Sequence, residues 1–328
     1  MTIASAGNPS VSIVLSTYQS RNLIRACIDS LQALDYPRVE IIVVDAGSTD
    51  GTPELIENEY KDVRLVRREK IGIGEANNIG IRLARGDLIA FDFNTDEIAK
   101  PSWLSELVKA LAKDKTIGVV GGLRRLHGTD MVDDAGFKLS PFGYTTKLDR
   151  NRSLETLDPT PRIVDAVGAP LARREIFRRV GLCEEIYYLY GEDIDFCLRV
   201  QKAGYKVICV PQAITDHCVS FTVGLGPRYF YYLRRAQIAF CLLNYSGIRL
   251  FLSYSWWLIF QTLIDVLMVV PPIRKLARIL KLEFLARRGT RENIKAILRA
   301  TSWNILNFRA VIQRRQQRNL LLERKTGR

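Results

Sequence analysis

Residues 11–16, VSIVLS, form a mostly apolar, β-branched run that stops at polar TYQS. Such a run predicts a strand covered on both faces. From residue 21 the interval changes: Leu23, Cys27, Leu31 and Leu34 recur at helical spacing until Pro37 closes the segment. The cycle then repeats. VEIIVVD (39–45) predicts a second buried strand that breaks into an Ala/Gly/Ser/Asp loop, and 53–60 predicts a helix with Pro53 in its first turn after Thr52 as cap. A strand over 63–68, a helix over 74–86 ended by Gly86 and a strand over 87–93 complete the series. Strands and helices alternating in units of this length predict a doubly wound α/β fold, mostly parallel, with helices on both faces. Ligands bind such sheets outside the carboxyl ends of the strands. Thr17, Tyr18, Asp45 and the stretch 92–96 all fall at such ends.

Beyond residue 115 the pattern is less regular. It predicts a strand at 117–126, a hairpin in 133–149, a short strand running into a helix across 165–181 and a helix over 191–205. A strand at 206–211 and an amphipathic helix at 229–245 follow. Residues 250–273 are the most apolar stretch, diluted by Ser253, Ser255, Thr262, Gln261 and Asp265. Its length suits a bilayer crossing, while an Asp near the centre costs roughly 2.5–3.5 kcal/mol on insertion scales. A span, a helix lying in the membrane interface or a shallow hairpin turned at Pro271–Pro272, and a core helix all remain open.

Composition and charge refine this picture. The 328 residues exceed one typical domain, and 47% hydrophobic with 25% charged residues excludes a disordered or multi-span chain. Residues 1–248 hold 31 basic and 31 acidic residues, whereas 249–328 hold 17 and 4, so the whole net charge of +13 sits in the last quarter. This predicts a catalytic unit at 10–245 and an apolar, basic, membrane-associating helical region at 246–328. Six cysteines without a Cys-x-x-Cys pair, and a start that lacks a basic and apolar leader, predict reduced core thiols in a cytosol-facing protein.

The stretch LIAFDFNTDE (88–97) carries candidate chemistry. Strand alternation predicts that Asp92, Asn94 and Asp96 share one face at the core's edge, an unfavourable place for charge unless a cation sits there. Six motifs occur in order: VSIVLSTYQS, EIIVVDAGSTDGT, GEANNIGIRLARGD, FNTDEIAKPSWL, DAGFKLSPFGY and YLYGEDIDFCLRVQKAGYKV. Together they resemble the inverting family 2 glycosyltransferases of GT-A fold, closest to the rhamnosyltransferase-like branch, over residues 10–245.

That resemblance implies transfer of a sugar from a nucleotide-diphosphate donor (UDP-, dTDP- or GDP-linked) to a hydroxyl of a glycan or lipid-linked acceptor. It implies Mn²⁺ or Mg²⁺ on the diphosphate, with Asn94-Thr95-Asp96 as the Asn-x-Asp form of the Asp-x-Asp motif and Asp96 as the first metal ligand. His217 is implied to complete the metal shell or touch the diphosphate. Thr17, Tyr18, Asp45, Asn77 or Asn78, and Asn94 are implied to line the nucleotide. Asp193 of the Glu-Asp pair is implied as the base that takes the acceptor proton, with Glu192 orienting the acceptor and Asp195 facing elsewhere. Asp92 departs from the family, which has an apolar residue there; reaching the ribose and burial with a basic partner both stay open. Arg234 and Arg235 read as a solvated helix face.

Two other functions fit these residues less well. A sugar-nucleotide nucleotidyltransferase would carry a glycine-rich loop after the first strand, which STYQSRN lacks. A nucleic-acid-binding role for the tail is disfavoured by the neutral body and by the apolar segment beside the charge, which point to an anionic membrane surface at the cytoplasmic face.

Overall fold

The computed structural model of the chain describes residues 8–218, 226–280, 282 and 289–326, with side chains described as far as residue 320. The first residues, read as lacking a leader, and the basic residues at 281, 287 and 288 lie outside the described residues.

The alternating first half folds as its pattern dictates. Strands β1 (Val11–Thr17), β2 (Val39–Asp45), β3 (Arg64–Arg67) and β4 (Leu88–Asn94) pair in parallel in the order β4-β1-β2-β3. Helices α1 (Ile24–Gln32), α2 (Thr52–Glu59) and α3 (Ile73–Leu83) connect them. Helix α1 buries Ile24, Cys27, Ile28 and Leu31, the stripe read from the sequence shifted by one residue at its start.

The second half extends the same sheet and makes it mixed. After the three-residue β5 (Glu97–Ala99) and helix α4 (Trp103–Lys113) come β6 (Ile117–Leu126), β7 (Val132–Asp134), the small ribbon of β8 (Phe137–Leu139) and β9 (Thr145–Lys147), and β10 (Arg162–Ile163). Strand β11 (Leu171–Arg173) lies antiparallel between β4 and β6, followed by α5 (Arg174–Val180), α6 (Glu192–Lys202) and β12 (Lys206–His217). The sheet runs β10-β12-β6-β11-β4-β1-β2-β3. Apolar clusters cover both faces, one around Leu15, Trp103 and Leu107, the other around Val14, Phe91, Phe177 and Phe196. All six cysteines are free thiols, and only Cys218 is not buried.

The C-terminal helices are α7 (Pro227–Asn244), α8 (Gly247–Ser255), a π turn (Trp256–Phe260), α9 (Gln261–Leu267), α10 (Pro271–Ile279), α11 (Arg291–Leu306) and α12 (Phe308–Thr326). They fold back on the sheet domain. Three carbonyls in the last turn of α7 receive cations: Leu242 O from Arg315, Leu243 O from Arg318 at 2.7 Å and Asn244 O from Lys202 at 2.8 Å. These groups satisfy acceptors that a helix leaves open and oppose its dipole. Part of the tail's positive charge is therefore spent internally. Arg234 and Arg235, read as a solvated face, are not one: Arg234 is buried against Asp265, and Arg235 donates to Ile186 O with its guanidinium 3.7 Å from the centre of the Trp303 ring.

Candidate active site

The carboxyl ends of β1, β2, β4 and β12 and the amino end of α6 meet at one edge of the sheet. Thr17 and Asp45 lie side by side at the ends of β1 and β2, which are paired in register. Both are buried. Asp45 Oδ2 accepts from the amides of Gly47 and Ser48 at 3.1 and 2.9 Å, while Asp45 Oδ1 and Thr17 Oγ1 have no partner among the described residues. Unmatched buried polar atoms at the carboxyl edge of such a sheet are positions that a ligand can satisfy. Tyr18 is half-buried beside them, with the Arg228 guanidinium 5.4 Å from its ring centre.

The shared face expected for Asp92, Asn94 and Asp96 does not form. The β1–β4 register shifts between Ile13 and Leu15, and Asp92 adopts φ +58°. This bulge puts Phe91 and Phe93 in opposite cores although alternation would give them the same side. Asp92 consequently points to the α3–α6 side, where Asn77 Nδ2 donates to it at 2.9 Å and Asn77 Oδ1 accepts from its backbone N–H at 3.2 Å. Asn77 also accepts from Ser16 Oγ at 3.1 Å. It is fully buried and placed to hold Asp92, not to meet a nucleotide. Asn78, its alternative, staples α3 to Cys183 and Glu185.

Asn94 and Asp96 keep the other orientation, at the crevice. Strand β5 pairs antiparallel with the end of β12, setting His217 opposite Glu97, and the Cys218 amide donates to Asp96 O at 2.7 Å. This pairing brings two residues 121 positions apart together: Asp96 Oδ2 lies 3.6 Å from His217 Nε2. On its other nitrogen, His217 Nδ1 lies 2.8 Å from Asp133 Oδ2. Burial opposes protonation of this imidazole, but its bonds to Asp133 and Asp96 outweigh that and push it up to about 9. Nδ1 held by a buried carboxylate with Nε2 facing a second carboxylate is how proteins orient a metal-binding histidine. A hard divalent cation bound at about 2.1 Å from each ligand could touch both groups. The residues present therefore fit Mn²⁺ or Mg²⁺.

Three carboxylates gather at the start of α6. Oxygens of Asp92, Glu192 and Asp193 lie within 4.8 Å of one another. Tyr190 and Gly191, both at positive φ, turn the chain sharply into this helix. Burial raises all three carboxyls, Asp92 and Glu192 well above the ordinary range. For Asp193 the cation of Arg124 opposes that rise, and among the three residues Asp193 alone is half-buried rather than buried. Like charges this close cannot all ionise. Asp193 is the member best placed to do so, because the carboxyls of Asp92 and Glu192 are raised further. Asp195 faces away, as expected, into a buried network with Arg199, Arg318 and Asn244.

Sequence reasoning named none of Arg124, Asp133 and Asp134 for the site. Arg124 donates to Asp134 at 2.8 Å and lies 3.5 Å from Glu97. Gly168 packs against it, and a Cβ there would meet the guanidinium at 2.6 Å. Two adjacent acids followed by Ala-Gly, opposite two consecutive arginines on β6, were the available signal; recognising it needed the β6–β7 pairing.

Known proteins of similar sequence and fold identify the family. The sequence profile described as Glycosyl transferase family 2 matches residues 12–180, just over half of the chain. The chain is 28% identical over 222 residues to the O-antigen biosynthesis protein RfbC of Myxococcus xanthus, covering 64% of this chain but only 17% of that protein. It is 28% identical over 239 residues to the N-acetylglucosaminyl-diphospho-decaprenol L-rhamnosyltransferase of Mycobacterium tuberculosis, covering 66% of this chain and 78% of that one. Among solved structures, the mannosyltransferase PcManGT of Pyrobaculum calidifontis, in complex with GDP-Man and Mn²⁺, superposes with a TM-score of 0.55 at 19% identity, over 91% of this chain and 87% of that one.

Proposed function

The chain belongs to glycosyl transferase family 2 and has the GT-A fold, and on that premise we propose that it is an inverting, metal-dependent transferase using a nucleotide-diphosphate sugar. The observation that carries this reading is the pair of carboxylate clusters linked by Arg124, whose charge acts on both Asp193 and the His217 that faces Asp96. In the proposed step, Asp193 takes the acceptor's hydroxyl proton as that oxygen bonds to the sugar's anomeric carbon. The bond from that carbon to the diphosphate oxygen breaks on the opposite face, and the nucleoside diphosphate departs with the bonding pair.

Asp96 and His217 would hold the cation, which when bound supplies positive charge to the leaving diphosphate. Thr17 Oγ1 and Asp45 Oδ1 offer an acceptor pair to the base, and Tyr18 a ring to flank it. Asn94, at the end of β4, would complete the nucleotide side of the site. Asn77 acts one step back by fixing Asp92, and Glu192 is placed to orient the acceptor as a neutral donor.

The acceptor is a lipid-linked or membrane-bound glycan, and the reaction runs at the cytoplasmic face. Support comes from the rhamnosyltransferase relative, whose name specifies a diphospho-decaprenol acceptor. A screen of UDP-, GDP- and dTDP-sugars with Mn²⁺ tests the donor reading: one donor should release nucleoside diphosphate well above the others. Release from none, with or without a polyprenyl-linked acceptor, would overturn it.

A further inference from the structure

The helical stretch Gly247–Leu267 has the polarity of a water-soluble surface helix turned inside out. Its buried positions are Ser253, Trp257, Gln261 and Asp265, a strict series of fours, and three of these carry polar side chains. Each polar group has a protein partner. Ser253 Oγ donates to Arg249 O at 2.7 Å, Tyr144 OH donates to Gln261 Oε1 at 2.6 Å, and Asp265 pairs with buried Arg234. The opposite face is apolar and exposed, carrying Ile248, Phe251, Ile259, Phe260, Leu263 and Leu267. A helix facing water shows the reverse arrangement, and a continuous apolar strip of this length marks a contact surface.

What covers the strip follows from charge and geometry. Helix α10 continues it with exposed Leu276 and Ile279, beside exposed Lys275 and Arg278. Between residues 247 and 282 the single acidic residue is Asp265, already buried. Within these residues every exposed charge is therefore cationic. A second copy of the chain would bring the same cations to its own rim, whereas an anionic bilayer supplies the opposite charge. The 21 residues of 247–267 are long enough to cross a membrane. Their buried face, however, is bonded along its length to residues 141–144 and to α7, so crossing would strip Asp265 and Arg234 of their partners. A helix held this way lies along a surface.

We infer that the outer face of 247–280 is a peripheral docking surface that lies flat in the headgroup region of an anionic bilayer. Its apolar strip enters the acyl boundary, and Lys275 and Arg278 engage lipid phosphates. The sheet domain is carried at the membrane surface with Asp265 never leaving the protein. The inference rests on the proposed function only for the side of the membrane involved.

The test is flotation of the full-length protein with vesicles of phosphatidylcholine alone and of phosphatidylcholine mixed with phosphatidylglycerol. Nucleotide binding in solution is measured in parallel, so that failure of the donor site and failure of docking are seen separately. Wild type should float with the anionic vesicles at low salt. Phe251→Ser/Ile259→Gln/Leu263→Gln, on the exposed face alone, should lose at least about 100-fold in vesicle affinity while keeping its circular dichroism. Lys275→Gln/Arg278→Gln should lose about five-fold per residue on anionic vesicles and little on neutral ones. Failure of wild type to bind vesicles would overturn the proposal. So would conversion of an oligomer to a monomer by the triple variant with vesicle binding unchanged, which would make the strip an interface between copies.

Discussion

Arg318, on the last helix of the chain, donates from Nη1 to Asp195 Oδ1 at 2.8 Å, two residues beyond Asp193. The same guanidinium reaches Asn244 Oδ1 and Leu243 O from Nη2, and Asp195 takes Arg199 on its other oxygen. Burial alone would raise the Asp195 carboxyl, but Arg318 and Arg199, with Asn244, hold it well below the usual carboxylate range. The helix that presents Asp193 is thus anchored by the C-terminal region. Without Arg318, buried Asp195 keeps Arg199 but loses a charge-assisted hydrogen bond. Arg318→Ala should therefore destabilise the protein by about 1.5–3 kcal/mol, read as a lower urea midpoint. Deleting residues 308–328 should cost at least as much and lower turnover even on a soluble acceptor. A truncated protein as stable and active as the full chain would show the anchor to be dispensable.

Asp193→Asn should lower turnover about 10²–10⁴-fold while donor affinity stays near wild type, since a proton acceptor is lost and the shape is kept. Isothermal titration with donor and single-turnover rates separate the two effects. Loss of donor affinity in step with turnover would place Asp193 in the donor pocket instead.

The pH dependence has a definite sign. Asp193 works ionised, and burial raises its carboxyl, so kcat/KM should fall as pH drops through a value above the ordinary carboxylate range. Arg124 opposes that rise from β6. Asp92 on β4, Glu192 on α6 and Asp134 on β7 are the other charged or titrating neighbours. Arg124→Gln should move this acid limb to higher pH, and Arg124→Lys should move it less. An unmoved limb in Arg124→Gln, with the fold intact, would assign the titration to another group.

Asp96→Ala and His217→Ala should each abolish Mn²⁺ binding measured directly by electron paramagnetic resonance, and EDTA should reproduce their loss of activity. Asp133 also pairs with Lys147, so Asp133→Asn weakens that ion pair as well as loosening the His217 ring. Affinity for Mn²⁺ should fall about 10–100-fold, as for other partners of metal-binding histidines. Full Mn²⁺ affinity in His217→Ala would remove that residue from the metal site.

Asp45→Ala and Thr17→Ala should raise the donor Kd with little change in Mn²⁺ affinity. Each removes one buried atom that lacks a partner among the described residues. A ligand group left unmatched there costs about 1–3 kcal/mol, or roughly 5–150-fold in affinity. Equal affinities for wild type and both variants would move the nucleotide elsewhere.

Local pattern alone determined the alternation of strands and helices through residue 93 and the placing of Thr17, Asp45 and Asp96 at strand ends. Strand and helix periodicity is a property of neighbouring residues, so it is legible without a fold. The Glu192-Asp193 pair at a helix start was legible for the same reason. The tertiary structure alone decided what depends on long-range pairing. The bulge at Asp92 separates it from Asp96, because a register shift is set by the partner strand. The β5–β12 pairing joins His217 to Asp96 across more than a hundred residues. The apolar stretch at 250–273 stayed ambiguous because hydropathy counts Gln261 and Asp265 without saying where they point. Once Tyr144 and Arg234 satisfy them from the protein side, the face left exposed is the apolar one.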